Sequence, residues 1–107
     1  MILCIETSTT KCSAALGRGK EILASREAES PEGGHATALA PMVDELLEAL
    51  RSHEGASLSA IAVSAGPGSY TGLRIGASLA KGLCLGYSVP LIAIDTLELL
   101  AHQAQCT

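Results

Sequence analysis

Gly66-Pro67-Gly68-Ser69-Tyr70-Thr71-Gly72-Leu73-Arg74-Ile75-Gly76 follows an apolar run, Leu58-Ser59-Ala60-Ile61-Ala62-Val63-Ser64, and precedes a long helix-compatible segment. Strand, glycine-rich turn and helix in that order aim backbone N–H groups at an anion or bring two backbones close together. The spacing excludes two standard nucleotide loops. A Walker A loop ends in Gly-Lys-Ser/Thr, whereas Gly72 is followed by Leu73. A dinucleotide fingerprint needs its third glycine at position 71, where Thr71 stands.

Working outward, the segment after the loop predicts a helix over about Thr71 to Tyr87. Arg74, Ser78 and Lys81 form its one narrow polar stripe, and the rest of its circumference is Leu, Ile, Ala, Gly or Cys. A helix apolar over most of its circumference has to be covered on more than one side, so a partner is expected beyond the sheet. Leu91-Ile92-Ala93-Ile94 reads as a short strand, and Asp95-Thr96-Leu97-Glu98 has the spacing of a capping box that opens a last helix.

Upstream, Ile2-Leu3-Cys4-Ile5 reads as a central strand covered on both faces, and Thr7 to Thr10 as a polar turn. Cys12 to Leu16 and Glu21 to Ala28 read as the next two strands, the latter anchored by Ile22 and Leu23, with a Gly17–Lys20 turn between them. Leu39, Met42, Val43, Leu46, Leu47 and Leu50 then fall at the spacing of an amphipathic helix. Pro41 either marks its first turn or lies inside a helix begun at about His35. Three hairpin-linked strands followed by alternating helices and strands predict an α/β domain, a mixed five-stranded sheet with helices on its faces.

The composition narrows the function classes. The 107 residues make one domain or less, with 48% hydrophobic but only 2% aromatic content and a net charge of −4. Seven scattered Lys and Arg argue against gripping a nucleic-acid backbone directly. Cys4, Cys12, Cys84 and Cys106 have no metal-ligand spacing, and the first three sit in apolar segments as core thiols of a reducing compartment. No basic n-region precedes Glu6 and no apolar run approaches the ~20 residues of a membrane span, so a soluble, cytoplasmic protein is expected.

Ile5-Glu6-Thr7-Ser8 after the first strand, the Gly66–Gly76 string, His35 with Leu39-Ala40-Pro41-Met42, and Ala80-Lys81-Gly82-Leu83 together resemble a known family. Over essentially the whole chain the sequence is similar to the N-terminal domain of the TsaB (YeaZ) family of tRNA threonylcarbamoyladenosine biosynthesis proteins. The resemblance implies a ribonuclease-H-like fold of the actin, sugar-kinase and Hsp70 type. Family members carry two such halves, so residues 1–107 correspond to the first half and read as a truncation. It further implies a scaffold without chemistry of its own. Its partner would be the paralogue TsaD, working with TsaE, with ATP and metal on TsaD and none on this chain. It implies a homodimer when TsaD is absent, and tRNA met only through the complex. The pairing surface it implies is built from the two helices, here His35, Leu39, Met42, Val43, Leu46, Gly72, Gly76, Ala80 and Leu83.

Glu6, Thr7, Ser8, Thr9 and Thr10 occupy the place of the phosphate-binding hairpin of such kinases. Either their hydroxyls satisfy a tight turn, or they are a vestigial nucleotide loop belonging to an ATPase-like alternative. Within the signature loop of Gly66, Pro67, Gly68, Ser69, Tyr70, Thr71, Gly72 and Arg74, Ser69 and Thr71 have no identifiable base and read as helix caps. The histidines His35, His53 and His102 stand in no metal-binding relation, so no metal site and no catalytic residue are expected.

Overall fold

Alternation along the strands decides which side of the sheet becomes the core. In the computed structural model, which describes residues 1–29, 35–53 and 55–106, the elements run in the predicted order. They are β1 (Ile2–Glu6), β2 (Lys11–Arg18), β3 (Glu21–Glu29), α1 (His35–Arg51), β4 (Ala60–Ser64), α2 (Tyr70–Tyr87), β5 (Leu91–Ile94) and α3 (Thr96–Cys106). The sheet order is β3-β2-β1-β4-β5; β1 pairs antiparallel with β2 and parallel with β4, and β4 pairs parallel with β5. Leu3 lies opposite Leu16 and Ile61, and Ile5 opposite Ala14 and Val63, so these six side chains share one face. All six are buried with Leu39, Leu46 and Leu50 of α1. Full burial of a leucine contributes roughly 1.5–3 kcal/mol.

Helix α1 runs through Pro41, whose side chain is exposed, so the helix begins at His35 rather than after the proline. The N-terminal amino group donates to the Ser57 carbonyl at 3.0 Å, which fixes the start of β1 beside the entry to β4.

Three expectations are corrected here. Leu39, Met42, Val43, Leu46, Gly72, Gly76 and Ala80 are buried in the domain itself, and Leu83 packs against the same core. They therefore do not form a free pairing surface: an apolar stripe at helical spacing points first at the chain's own sheet. What α2 presents outward is Thr71, Arg74, Ser78, Lys81, Gly82, Leu85 and Gly86, with Leu85 83% exposed. The side chain of His35 lies outside the described residues.

Second, β1 is covered on one face only. Cys4 is exposed on the other face, on the floor of a hollow of about 500 Å³ whose walls include Ala15, Ala62, Ser64, Ile94 and Leu99. Of the thiols read as core, Cys12 is buried and Cys84 half-buried. Third, Ile22 is exposed, and Ala24 and Ala28 anchor β3 to the core instead. The register between β2 and β3 shifts at Leu16/Gly17, an irregularity opposite Ile22 that interrupts the inward–outward alternation there.

Candidate functional site

The carboxyl ends of the three parallel strands β1, β4 and β5 lie together at one edge of the sheet, the edge where open α/β sheets place their ligands. Three segments meet there and are tied by backbone bonds. Ala65 N–H donates to the Ile94 carbonyl at 2.8 Å, Thr96 N–H to the Gly66 carbonyl at 2.8 Å, and Ser69 N–H to the Ser8 carbonyl at 2.7 Å. The glycine-rich loop is thereby clamped between the β1–β2 hairpin and the start of α3.

Gly68 explains itself by proximity. A Cβ there would lie 2.6 Å from the Ser8 Cβ and 2.7 Å from its carbonyl oxygen, closer than any side chain tolerates. Gly76 acts likewise inside α2, where a Cβ would strike the Thr7 hydroxyl. Ser69 caps α2, its Oγ accepting from Gly72 N–H at 3.2 Å. Thr71 is the second residue of α2 and exposed, so the capping role falls to Ser69 alone. Tyr70 and Arg74 face solvent, the guanidinium lying 5.5 Å from the ring centroid. The Gly66–Pro67 peptide is cis. The signature string is thus read as one device: two close approaches, a cap, and an outward Tyr–Arg pair.

The hairpin turn has an unusual use of its donors. Glu6 folds back so that its Oε1 accepts from Ser8 N–H at 2.7 Å and from Ser8 Oγ–H. Thr7 N–H donates to Ser64 Oγ at 3.3 Å, and Lys11 N–H to Thr9 Oγ1 at 3.2 Å. Thr10 is exposed at the tip. Lys11 pairs with Glu27 at 2.9 Å; that hydrogen bond, the Glu27 charge and then Glu29 raise the ammonium above its ordinary pKa. Among the described residues, Glu6 Oε2, Thr7 Oγ1 and Thr96 Oγ1 are buried without a partner. A hollow of about 380 Å³ opens here, lined by Glu6, Ser8, Lys11, Glu27, Thr96 and Leu99 among others.

An ATP phosphate does not fit this arrangement. The Ser8 donors that would hold it are already bound to Glu6, the Lys11 cation is paired, and the surrounding charges are the carboxylates of Glu6 and Glu27. No group of three His, Cys, Asp or Glu side chains among the described residues is gathered to hold a metal ion. No helix among them is long and apolar enough to cross a membrane.

Sequence reasoning found the hairpin and the loop but missed Lys11, Ser13 and Thr96 as hairpin neighbours, since pairing across β2, β3 and α3 brings them in. It also missed Leu85, although the signal was present: Leu85 follows Lys81 by four and Ser78 by seven, on the polar stripe of α2.

Comparison with known proteins gives a consistent answer. The family described as "TsaD: tRNA N6-adenosine threonylcarbamoyltransferase" matches residues 21–107. The tRNA threonylcarbamoyladenosine biosynthesis protein TsaB of Escherichia coli (strain K12) is 40% identical over 96% of this chain and 43% of its own length. The protein of the same description from Bacillus subtilis (strain 168) is 38% identical over 94% of this chain and 43% of its own. The solved structure of YeaZ from Pseudomonas aeruginosa superposes with a TM-score of 0.81 at 36% identity, covering 96% of this chain and 47% of that one. The chain therefore spans somewhat under half the length of these relatives, and its mixed sheet with flanking helices is the ribonuclease-H-like α/β arrangement.

Proposed function

Since the chain belongs to the TsaB (YeaZ) family of tRNA threonylcarbamoyladenosine biosynthesis proteins, we propose that it is a non-catalytic partner subunit. It would present the outer face of its helices to a TsaD-type paralogue in the machinery that makes threonylcarbamoyladenosine in tRNA. The observation that carries the non-catalytic part is the hairpin: its Ser8 donors are consumed by the chain's own Glu6 carboxylate. ATP, metal and the transfer chemistry then belong on the TsaD side, with TsaE as a further member, and tRNA is met through the assembly. Residues 1–107 act as the first half-domain of this scaffold, working in the cytoplasm.

The pairing surface has to be moved from the buried stripe to the outward face of α2. Ser78, Gly82 and Gly86 leave a low ridge beside the exposed Leu85, and Gly82 and Gly86 have open space where a side chain would stand. A second helix can approach closely along such a ridge, with Leu85 as its apolar anchor. In the absence of TsaD, the same face on a second copy completes the contact.

Size exclusion with light scattering tests this, on the chain alone and mixed with the TsaD of the same organism. The proposal expects a homodimer that converts to a one-to-one complex, with both lost in Leu85→Glu. A monomer that ignores TsaD would overturn the scaffold reading, and a complex untouched by Leu85→Glu would overturn this surface. Calorimetric titration with Mg-ATP is expected to give no heat of binding; tight binding would return the chemistry to this chain.

A further inference from the structure

Taking α2 as the pairing surface, as above, we propose that its outward face selects a carboxylate-bearing helix and is mismatched to a second copy of itself. Charge then decides which partner stays. Arg74, Ser78, Lys81 and Leu85 follow one another at steps of four, three and four, so two exposed cations share a face with the apolar anchor. No acidic residue occurs anywhere in Tyr70–Tyr87. Acids are not scarce in the chain, which has eleven Asp and Glu against seven Lys and Arg; they are kept off this helix. Elsewhere Lys11, Arg26 and Arg51 meet the carboxylates of Glu27, Glu45 and Glu48 at 2.9, 2.8 and 2.7 Å. Among the described residues Arg74 and Lys81 meet no carboxylate, and Arg74 lies over the Tyr70 ring instead.

Self-pairing turns this pattern into a repulsion. Two α2 helices packed across a two-fold axis lie about 8–10 Å apart, which brings Arg74 and Lys81 of both copies to one contact. That separation is close to the Debye length of about 8 Å at physiological salt, so screening is incomplete. On the neighbouring α1, Glu45 and Glu48 are held by Arg26 and Arg51, which leaves Asp44 as the one acid of that helix without an ion pair among the described residues. A single carboxylate per copy does not balance two cations. A partner helix with two carboxylates two turns apart answers both, and it can still close on Gly82 and Gly86 beside Leu85. Like charges set against the wrong partner are a common source of specificity. Here they give a second copy a weaker hold than an acidic paralogue.

The test is sedimentation velocity on dilution series of the chain alone and of the chain with the TsaD of the same organism. The variant is Arg74→Gln with Lys81→Gln, both at exposed positions. It should tighten the homodimer and weaken the heterocomplex, each by at least about threefold, the scale of one or two exposed ion pairs. The opposite signs separate local from overall charge. The chain already carries −4, so if long-range repulsion governed pairing, removing two cations would weaken the homodimer as well. Wild-type protein gives an independent reading should the variant fold poorly. Between about 20 and 300 mM salt the heterocomplex should weaken and the homodimer should not. A heterocomplex indifferent to both the substitutions and the salt, or a homodimer weakened by the substitutions, would overturn the charge selection and leave the scaffold reading standing. No complex with TsaD at any salt would overturn the scaffold reading and the selection with it.

Discussion

Gly76→Ala and Gly82→Ala add the same methyl group to the same helix and should change stability in opposite directions. Alanine is favoured over glycine in a helix interior by about 0.8–1 kcal/mol, and both substitutions gain that. At Gly82 nothing lies within 4 Å of the added carbon, so the gain should be expressed almost whole. At Gly76 the new carbon overlaps the Thr7 hydroxyl, and Thr7 is 0% exposed, so its side chain has nowhere to swing. Overpacking costs roughly 1–3 kcal/mol, and an overlap this close against an immobile side chain belongs in the upper part of that range, about 2–3 kcal/mol, which outweighs the helix gain and leaves a net loss of about 1–2 kcal/mol. For a domain of this size that separates the two variants by roughly 10 °C in Tm. Thr7→Ala supplies the control. It removes the clashing oxygen, which has no partner among the described residues, and leaves the Thr7 Cβ at an ordinary 3.4 Å. The double-mutant cycle should show a coupling of at least about 1 kcal/mol in urea denaturation. A Gly76→Ala variant as stable as Gly82→Ala would refute the reasoning. Additive Thr7 and Gly76 effects would refute the contact assigned to it.

Leu46→Ala should cost about 2–5 kcal/mol by denaturant titration, because Leu46 is fully buried under the sheet. Leu85→Glu should leave stability within about 0.5 kcal/mol while abolishing pairing, since Leu85 is 83% exposed. Ser69→Ala removes the α2 cap and should cost about 1 kcal/mol, as should Asp95→Ala, whose Oδ1 accepts from Leu97 N–H at 2.9 Å and Glu98 N–H at 3.1 Å. Partial desolvation, of Cys4 in the hollow beside β1 and of the half-buried Cys84, raises both thiols above the usual 9.0, so the folded chain holds these protons more tightly than the unfolded one. The resulting stabilisation is fully present below pH 9.0 and is lost as pH rises through the folded values. Denaturation midpoints at pH 8 and pH 10 should fall accordingly, and less so in Cys4→Ser.

What the residues disclosed, and what they withheld, divides along a physical line. The signature loop was legible because glycine, serine and proline act where they stand: Ser69 before the helix is a cap in any fold, and Asp95 two residues before Leu97 is another. The hairpin was legible as a place, but its chemistry was not. Whether Glu6 reaches outward to a ligand or back to Ser8 is a choice of side-chain rotamer that spacing does not encode.

The direction of the helices was the larger miss, and topology would have decided it. Periodicity says that α1 and α2 each have an apolar face without saying what covers it. The strand order β1-β4-β5, all parallel, advances in one direction across the sheet. Right-handed crossovers along such an advance place both connecting helices on the same side. The stripes of Leu39–Leu50 and Gly72–Ala80 are then spoken for by Leu3, Ile5, Leu16, Ile61 and Val63. On the far face Leu99 of α3 stands at the wall of the hollow in which Cys4 lies open, although its strand reads as buried on both faces. Gly76 follows from this too. It is small because α2 must press onto the end of β1 at Thr7, so the residue that looked like a place for a partner's backbone holds the chain's own hairpin against its helix.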